Sequence, residues 1–245
     1  MLSLNPGLRG LDEADTRAFY RRVYDTMQAV PGVEAAALAQ FVPLDFSIDG
    51  GDFVVEGRMV EPGREGIQAM SSAVDDHYFP TLNTAIRRGR AFTARDTIDA
   101  PTVAIVNETF AAMAWPGQDP VGRRIRLARA DAPWLEVVGV SADGKYRQLT
   151  ESPQPFVWTA LAQQNAPNAT LVVKSARDSA AMVNELRQAV ARWTRPCRST
   201  TPRRWTRSWS ARTWVHDSRR SSSALRRSAR CSSRPSDSTA CWPTG

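Results

Sequence analysis

Apolar residues recur at three- and four-residue intervals near the start of the chain, and they give one apolar face to a helix over residues 12–30. That face is formed by Phe19, Val23, Met27 and Val30. Asp12 or Asp15 can cap the helix, because a carboxylate there accepts from a free backbone N–H. Pro31 and Gly32 then stop it. The pattern predicts an amphipathic helix packed on a core.

The rest of the first 195 residues is rich in predicted strands, which are short β-branched or aromatic runs bounded by Gly, Pro or Asp. These runs are 33–38, 53–57, 67–74, 103–106, 125–127, 135–140, 156–159 and 171–174. Only short helices fit between them, at 76–82 and 108–115. A last helix begins at Asp178 or Ser179. Its apolar face is formed by Met182, Leu186, Ala189 and Trp193. The pattern predicts an α+β fold, and we interpret the apolar faces as core.

The formal net charge of +7 is distributed unevenly over the 245 residues. Residues 1–195 carry a net charge of −2, whereas residues 196–245 contain 11 Arg, no Lys and two Asp, a net charge of +9. Cys197, Cys231 and Cys241 also lie in the second segment. The composition therefore excludes a zinc ribbon or a CxxC redox pair from the first 195 residues. A cysteine-free body is compatible with an oxidising compartment.

The Arg- and Ser-rich segment 196–245 has two interpretations. As a basic arm it would bind nucleic acid or anionic lipid with steeply salt-dependent affinity. However, basic arms usually contain Lys as well, and they do not scatter tryptophans among Cys and Pro. The tryptophans here are Trp205, Trp209, Trp214 and Trp242. Arg, Ser, Pro, Trp and Cys together are typical of a GC-rich gene translated out of frame, which favours a disordered or out-of-frame segment and no nucleic-acid partner.

A one-base shift of the reading frame gives this segment ordinary protein sequence. With GC-rich codons, residues 193–201 become Asp-Pro-Ala-Leu-Pro-Val-Tyr-Asp, a turn and strand suited to follow the last helix. Residues 230–245 become Leu-Leu-Leu-Ala-Ala-Val-Gly-Leu-Tyr-Gly-Val-Leu-Ala-Tyr-Gly, the apolar composition of a membrane span. We hypothesise a frameshift near Trp193, and a gene whose frame stays open only as written would refute it.

The chain as written contains no run of about 18 apolar residues that could span a bilayer. Its first residues, Met-Leu-Ser-Leu-Asn-Pro, lack the basic and apolar regions of a signal peptide. We expect a soluble chain without an export signal or a transmembrane helix.

Residues 139–146, Gly-Val-Ser-Ala-Asp-Gly-Lys-Tyr, nearly match the phosphate-binding loop G-x-x-x-x-G-K-[ST] and follow an apolar strand. Tyr146 stands where the motif needs a small hydroxyl for Mg²⁺. Pro153 and Pro155 leave little room for the long helix whose N-terminus should face the phosphates. We therefore predict no nucleotide site and no cofactor.

His77 is the only histidine in residues 1–195, and Asp75 and Asp76 precede it. A metal site needs three or four converging ligands, whereas adjacent residues on one short helix point in different directions. We predict instead that Asp75 or Asp76 caps the helix and that His77 lies at its exposed start. No catalytic, cofactor-binding or metal-ligating residues are predicted, and the chain is not expected to be an enzyme.

Residues 101–127, PTVAIVNETFAAMAWPGQDPVGRRIRL, predict a buried strand, a helix capped by Asn107, and a Pro- and Gly-rich turn that ends the helix. We interpret this block as architecture and not as a ligand site. Together with WLEVVGVSAD at 134–143 it resembles the periplasmic core domain of MacB-like, FtsX-type ABC transporter permeases. Further similar stretches are VPGVEAAALAQFVPL, HYFPTLNTAIRRGRAFTARD and ATLVVKSARDSAAMVNELRQAV.

The resemblance covers nearly all of residues 1–195 and implies a two-part α+β domain. A porter-like α+β subdomain comprises residues 1–45 and 150–195, and a strand-rich subdomain of residues 46–149 is inserted in it. In such permeases the domain lies between two membrane helices, and the re-read apolar stretch falls where the second helix begins. The chain therefore resembles one extracytoplasmic domain of a bacterial inner-membrane transporter.

The resemblance implies a non-enzymatic function in which the domain couples ATP-driven movement of a cytoplasmic ATPase to a periplasmic adaptor or cargo, in efflux or lipoprotein-type transport. The implied partners are the ABC ATPase, the permease partner and a second copy in a membrane-anchored homodimer. Contacts are expected from the loops 43–51 and 128–133. The alternative is a free-standing periplasmic binding module for a small molecule or peptide, with residues 45–52 as its mouth.

Overall fold

In the computed structural model of the chain, the residues described are 1–9, 11–44, 49–58, 66–164, 166–177 and 179–191. The strands are β1 (Leu2–Leu4), β2 (Val33–Ala39), β3 (Asp49–Val55), β4 (Ile67–Val74), β5 (Ile86–Gly89), β6 (Val103–Asn107), β7 (Arg124–Leu127), β8 (Leu135–Ser141), β9 (Phe156–Ala160) and β10 (Ala169–Ser175). The helices are α1 (Glu13–Gln28), α2 (Tyr78–Leu82), α3 (Glu108–Ala114) and α4 (Ser179–Ala191). None of the helices in these ranges is long and apolar enough to cross a membrane.

The predicted first helix is confirmed as α1. Asp12 is its N-cap, and its carboxylate accepts from the N–H of Asp15 at 2.7 Å. Asp15 and Glu13 also place negative charge in the first turn, where the helix dipole favours it. The buried face comprises Thr16, Phe19, Tyr20, Val23 and Met27. The apolar spacing in the sequence therefore locates the face that packs on the sheet.

Strands β1, β10 and β2 form an antiparallel layer in that order. Leu171 of β10 lies opposite Leu2 of β1 and Leu38 of β2, and all three side chains are buried. The same core cluster contains the buried apolar side chains of α1 together with Met182 and Leu186 of α4. Both helices therefore cover one face of this layer, which we call the helix-covered layer.

Six of the other seven strands close into a ring, and the seventh, β5, pairs with β8 outside it. Following the hydrogen-bonded pairs, β4 pairs with β3, β3 with β7, β7 with β8, β8 with β6, β6 with β9, and β9 returns to β4. Buried side chains from all six strands share one cluster with Phe110 and Trp115, and the Phe110 ring meets the Phe53 ring edge-on at 6.0 Å. We call this ring with α3 the barrel. The predicted α+β fold class is confirmed.

The eight predicted strands are all present, and the predicted bounds 67–74 match β4 at both ends. The strand predicted at 53–57 begins earlier, at Asp49, and ends at Val55. Strands β1 and β5 were not predicted. The division of the domain into a porter-like part and an inserted part, at residues 45/46 and 149/150, stays a prediction. Strand β9 (Phe156–Ala160), which the sequence assigned to the porter-like part, pairs with β4 and β6 and so belongs to the ring. Trp193 and the segment 196–245 lie outside the described residues.

Candidate functional site

The helix-covered layer meets the barrel between β2 and β4, and this junction is the candidate functional site. The ladder between the two strands consists of one residue pair, Ala39 opposite Val74. Next to it the N–H of Gln40 donates to the carbonyl of Ala73 at 2.7 Å. So short a ladder leaves neighbouring backbone groups of β2 without a strand partner, and buried groups of that kind are costly unless another partner is present.

Side chains of β4, of α2 and of the segment between them supply those partners. The Ser72 hydroxyl accepts from the N–H of Phe41 and donates to the carbonyl of the same residue, both at 3.0 Å. The Thr81 hydroxyl of α2 donates to the carbonyl of Ala36 at 3.2 Å. Both hydroxyl-bearing residues are buried. The junction is therefore held partly by side chains that replace a backbone ladder.

Asp75 is the third such side chain. Its Oδ2 accepts from the N–H of Leu38 at 2.8 Å, and its own N–H donates to the carbonyl of Leu38 at 2.9 Å. Its Oδ1 is buried and has no hydrogen-bond partner among the described residues. Burial, with a smaller contribution from the neighbouring Asp76, raises the pKa of Asp75 to about 8. The carboxyl group is therefore mostly protonated at neutral pH.

The structure corrects the prediction for the start of α2. The N-cap is His77 and not Asp75 or Asp76, and the His77 side chain makes no capping hydrogen bond. The imidazole stacks on the ring of Tyr24 of α1, with ring centres 4.1 Å apart and planes within 4°. Its Nε2 lies 3.4 Å from Oδ1 of Asp76. His77 therefore links α1 to α2 across the junction.

No group of three or more potential metal ligands of the types His, Cys, Asp and Glu converges within the described part of the chain. Asp75 and Asp76 lie next to His77 in sequence, but the contacts given above direct Asp75 to β2 and His77 to α1. That the chain has no catalytic and no metal-ligating residues stays a prediction from the sequence.

The segment 139–146 has a structural role in the fold. A Cβ built on Gly139 would lie 2.2 Å from the carbonyl oxygen of Arg90, so the glycine permits the backbone at Arg90, just after β5, to approach β8 closely. Tyr146 is buried, with its ring centre 4.3 Å from that of Phe156, and its hydroxyl accepts from the N–H of Gly144 at 3.1 Å. These contacts account for the residues that resemble a phosphate loop.

Asn107 is a fully buried hub in the barrel. Its Oδ1 accepts from the N–H of Phe110, which caps α3 as predicted, and from the N–H of Phe156 at the start of β9. Its Nδ2 donates to Oδ1 of Asp143 at 2.6 Å and to the carbonyl of Gln154 at 2.7 Å. One side chain therefore ties together β6, α3, β9 and the segment after β8.

Of the two loops expected to make contacts, 43–51 is described only in part, since residues 45–48 lie outside the described ranges, whereas 128–133 is described throughout. Leu44, which has a positive φ of 65°, donates its N–H to the carbonyl of Tyr146 at 2.6 Å. In the other loop the N–H of Ala128 donates to the carbonyl of Asp52 at 2.7 Å. A role for either loop in partner contacts stays a prediction.

A family model described as the MacB-like periplasmic core domain matches residues 3–189. The chain belongs to this family. It is accordingly a periplasmic or extracellular domain of a MacB-like ABC transporter permease, and the MacB-like core domain is a non-catalytic part of such permeases. The resemblance stated from the sequence is thereby confirmed.

Solved structures similar to this MacB-like domain include the periplasmic region of MacB from Actinobacillus actinomycetemcomitans. It has 12% identity and a TM-score of 0.51, and the match covers 78% of this chain and 82% of that chain. Another is the extracellular domain of the noncanonic ABC-type transporter YknZ from Gram-positive bacteria, with 15% identity, a TM-score of 0.47 and coverage of 70% and 79%. No curated protein matches the chain. The similarity to MacB concerns the fold.

Proposed function

We propose that this domain transmits ATP-driven movement of a cytoplasmic ATPase to a periplasmic adaptor or cargo, as part of a membrane-anchored homodimer. Family membership over residues 3–189 supports the transporter context. The transmission step is supported by one observation in particular, the continuous packing between the barrel and the helix-covered layer.

That packing joins the two parts in one cluster. Ala37 and Ala39 of β2 share it with Phe79 of α2 and with Trp158 of the barrel, and all four are buried. The Phe79 and Trp158 rings are in edge-on contact at 5.4 Å. Close-packed interiors have low compressibility and pass a displacement on to their neighbours. Movement delivered to the helix-covered layer therefore moves the barrel with it.

The test is a distance measurement between two copies of the domain in the complete permease. Residues 1–195 contain no cysteine, so an Ile98→Cys or Leu149→Cys substitution gives a single labelling position once every cysteine elsewhere in the permease, including Cys197, Cys231 and Cys241, is replaced by serine. Both positions are exposed, at 49% and 52%. The labelled permease is reconstituted with its ATPase, and spin-label distances are recorded without nucleotide and with ATP.

We expect the distance between the two copies to change by several ångströms on ATP binding at both labelled positions. A hydrolysis-deficient ATPase should hold the ATP-bound distance, which separates binding from turnover. Equal distance distributions with and without ATP would contradict the proposed transmission. Dimers that fail to form in the membrane would contradict the homodimer part of the proposal.

A further inference from the structure

The junction between β2 and β4 connects two parts of the domain that each have a core of their own, one under α1 and α4 and the other inside the barrel. Their backbone ladder is the single pair of Ala39 and Val74. Hydrogen bonds of Ser72, Asp75 and Thr81 complete it. A third apolar cluster is shared by both parts and keeps them packed together. The hydrogen bonds at the junction can therefore open while all three cores stay intact.

The Asp75 carboxyl group is the part of this contact that can change its charge. Its Oδ2 accepts from the N–H of Leu38, and the N–H of Asp75 donates to the carbonyl of Leu38. Its Oδ1 is inaccessible and has no hydrogen-bond partner among the described residues, although Asp75 as a whole is partly exposed. A buried charge needs hydrogen bonds to compensate its lost hydration, so a carboxylate in this position is unfavourable. A small displacement towards solvent would hydrate it.

The titratable groups around this carboxyl are mostly acidic. Asp76 and His77 follow it in sequence, and Nε2 of His77 lies 3.4 Å from Oδ1 of Asp76. α1 contributes Tyr24, which stacks on His77, and the adjacent Asp25, while β2 faces the group with its backbone. Burial, followed by the charges of the three aspartates, raises the pKa of Tyr24, so the three act on one place. Since an imidazole loses its charge as the pH rises through neutrality, alkaline pH concentrates negative charge at the junction.

We propose that the paired hydrogen bonds between Asp75 and Leu38 form a proton-controlled latch, which is closed when the carboxyl group is neutral and opens in the folded domain when it is ionised. Burial raises the pKa of Asp75 to about 8 in the closed state. A solvent-exposed aspartate has a pKa of about 3.9. Between these two values each rise of one pH unit increases the open population about tenfold. The latch does not require ATP-driven coupling.

Amide hydrogen exchange of the full-length chain, followed by NMR at pH 5.5 and pH 7.5, tests the latch. The N–H of Leu38 reports its opening. Ala37 is the internal control, because directions alternate along a strand and its N–H points to β10, where Ala37 pairs with Val172. We expect the protection factor of Leu38 to fall about 50-fold between the two pH values and to lie about tenfold or more below that of Ala37. Low urea concentrations should accelerate exchange at Ala37 and hardly affect Leu38, because opening the latch exposes little surface.

Asp75→Asn removes the titration and keeps an oxygen for the N–H of Leu38, so the protection factor of Leu38 should become nearly constant over this range. Asp99→Asn is the matched control, at an exposed aspartate in the loop between β5 and β6, and should behave as the native chain. An equal fall in the Asp75→Asn chain would overturn the proposal. Equal protection factors and equal urea responses of Leu38 and Ala37 would also overturn it, since the contact would then open only when the domain unfolds.

Discussion

Asp75 and Leu38 exchange two hydrogen bonds across the junction, one from the N–H of Leu38 to the Asp75 carboxyl at 2.8 Å and one from the N–H of Asp75 to the Leu38 carbonyl at 2.9 Å. The carboxyl group occupies the place that a strand carbonyl would take in a longer ladder. A carboxyl group can gain or lose a charge, which a carbonyl cannot. The contact between the two parts of the domain is therefore sensitive to pH.

Asp75→Asn is expected to stabilise the domain at alkaline pH. The folded pKa of about 8 lies above the ordinary value of about 3.9 for aspartate. The unfolded chain therefore releases its proton first, and the native protein loses stability as pH rises from about 4 through about 8. Asparagine keeps an oxygen for the N–H of Leu38 and has no charge to bury. We expect a gain on the order of 1–3 kcal/mol at pH 9 and little change at pH 4.

Urea unfolding of the two full-length chains between pH 4 and pH 9 checks this expectation. Asp76→Asn serves as the matched control, because it removes a neighbouring carboxylate that lies against His77 and not against β2. The control should retain most of the native pH dependence between pH 4 and pH 8. Parallel pH profiles for the native chain and Asp75→Asn would show that Asp75 is not the group responsible.

Asn107→Asp is expected to destabilise the barrel although the two side chains have nearly the same shape. The substitution removes the two N–H donors that reach Asp143 and Gln154, and it places a second carboxyl group against Asp143, 2.6 Å from the position of Nδ2. Buried polar atoms left unpaired cost about 1–3 kcal/mol each. We expect a loss of about 3–5 kcal/mol at pH 7.

Chemical unfolding at pH 7 and pH 5 measures this loss, which should decrease at the lower pH as one of the two carboxyl groups takes up a proton. Asn168→Asp is the control, since Asn168 is exposed and should change stability by less than about 0.5 kcal/mol. A destabilisation as small as that of the control would mean that the Asn107 amide donors contribute little.

Asn107 and Asp75 also show how much of the fold could be predicted from the sequence. The capping role of Asn107 was predictable, because it depends on residues three positions apart. Its bond to Phe156 was not, because it depends on the pairing of β6 with β9. Nor does any local pattern bring Asp75 to Leu38. β1 was missed because three residues, Leu-Ser-Leu, are too few for the alternation that predicts a strand.

Gly139→Ala is expected to disturb the pairing of β5 with β8. The added Cβ would lie 2.2 Å from the carbonyl oxygen of Arg90, which belongs to backbone and cannot move aside without breaking the ladder. We expect a destabilisation of about 2–4 kcal/mol, in the range of severe overpacking. Gly51→Ala is the matched control, since its Cβ would meet only the end of the Leu127 side chain at 3.1 Å. Thermal unfolding compares the two, and equal losses would contradict the proposed role of the close approach.

Asp96 and Arg90 form a two-point ion pair, with both N···O distances 2.8 Å, and Oδ2 of Asp96 also accepts from the N–H of Thr93 at 2.7 Å. Burial by itself would raise the pKa of Asp96, but the hydrogen bonds from Arg90 and Thr93 outweigh it and lower the pKa. A lowered carboxyl pKa means that the folded chain binds fewer protons than the unfolded one. The resulting stability is present above the ordinary aspartate pKa and is lost as pH falls through the folded value.

Asp96→Ala should therefore cost more stability than Arg90→Ala, because it also leaves the partly buried N–H of Thr93 without its Asp96 acceptor. The Arg90 side chain is 46% exposed, so solvent screening keeps the coupling within the pair to about 1 kcal/mol. A double-mutant cycle measured by urea unfolding at pH 7 and at stepwise lower pH isolates that coupling. We expect it to shrink only below the ordinary aspartate range, because the pKa of Asp96 is lowered in the folded chain. A coupling that does not change as the pH falls would show that the pair is held by packing and not by charge.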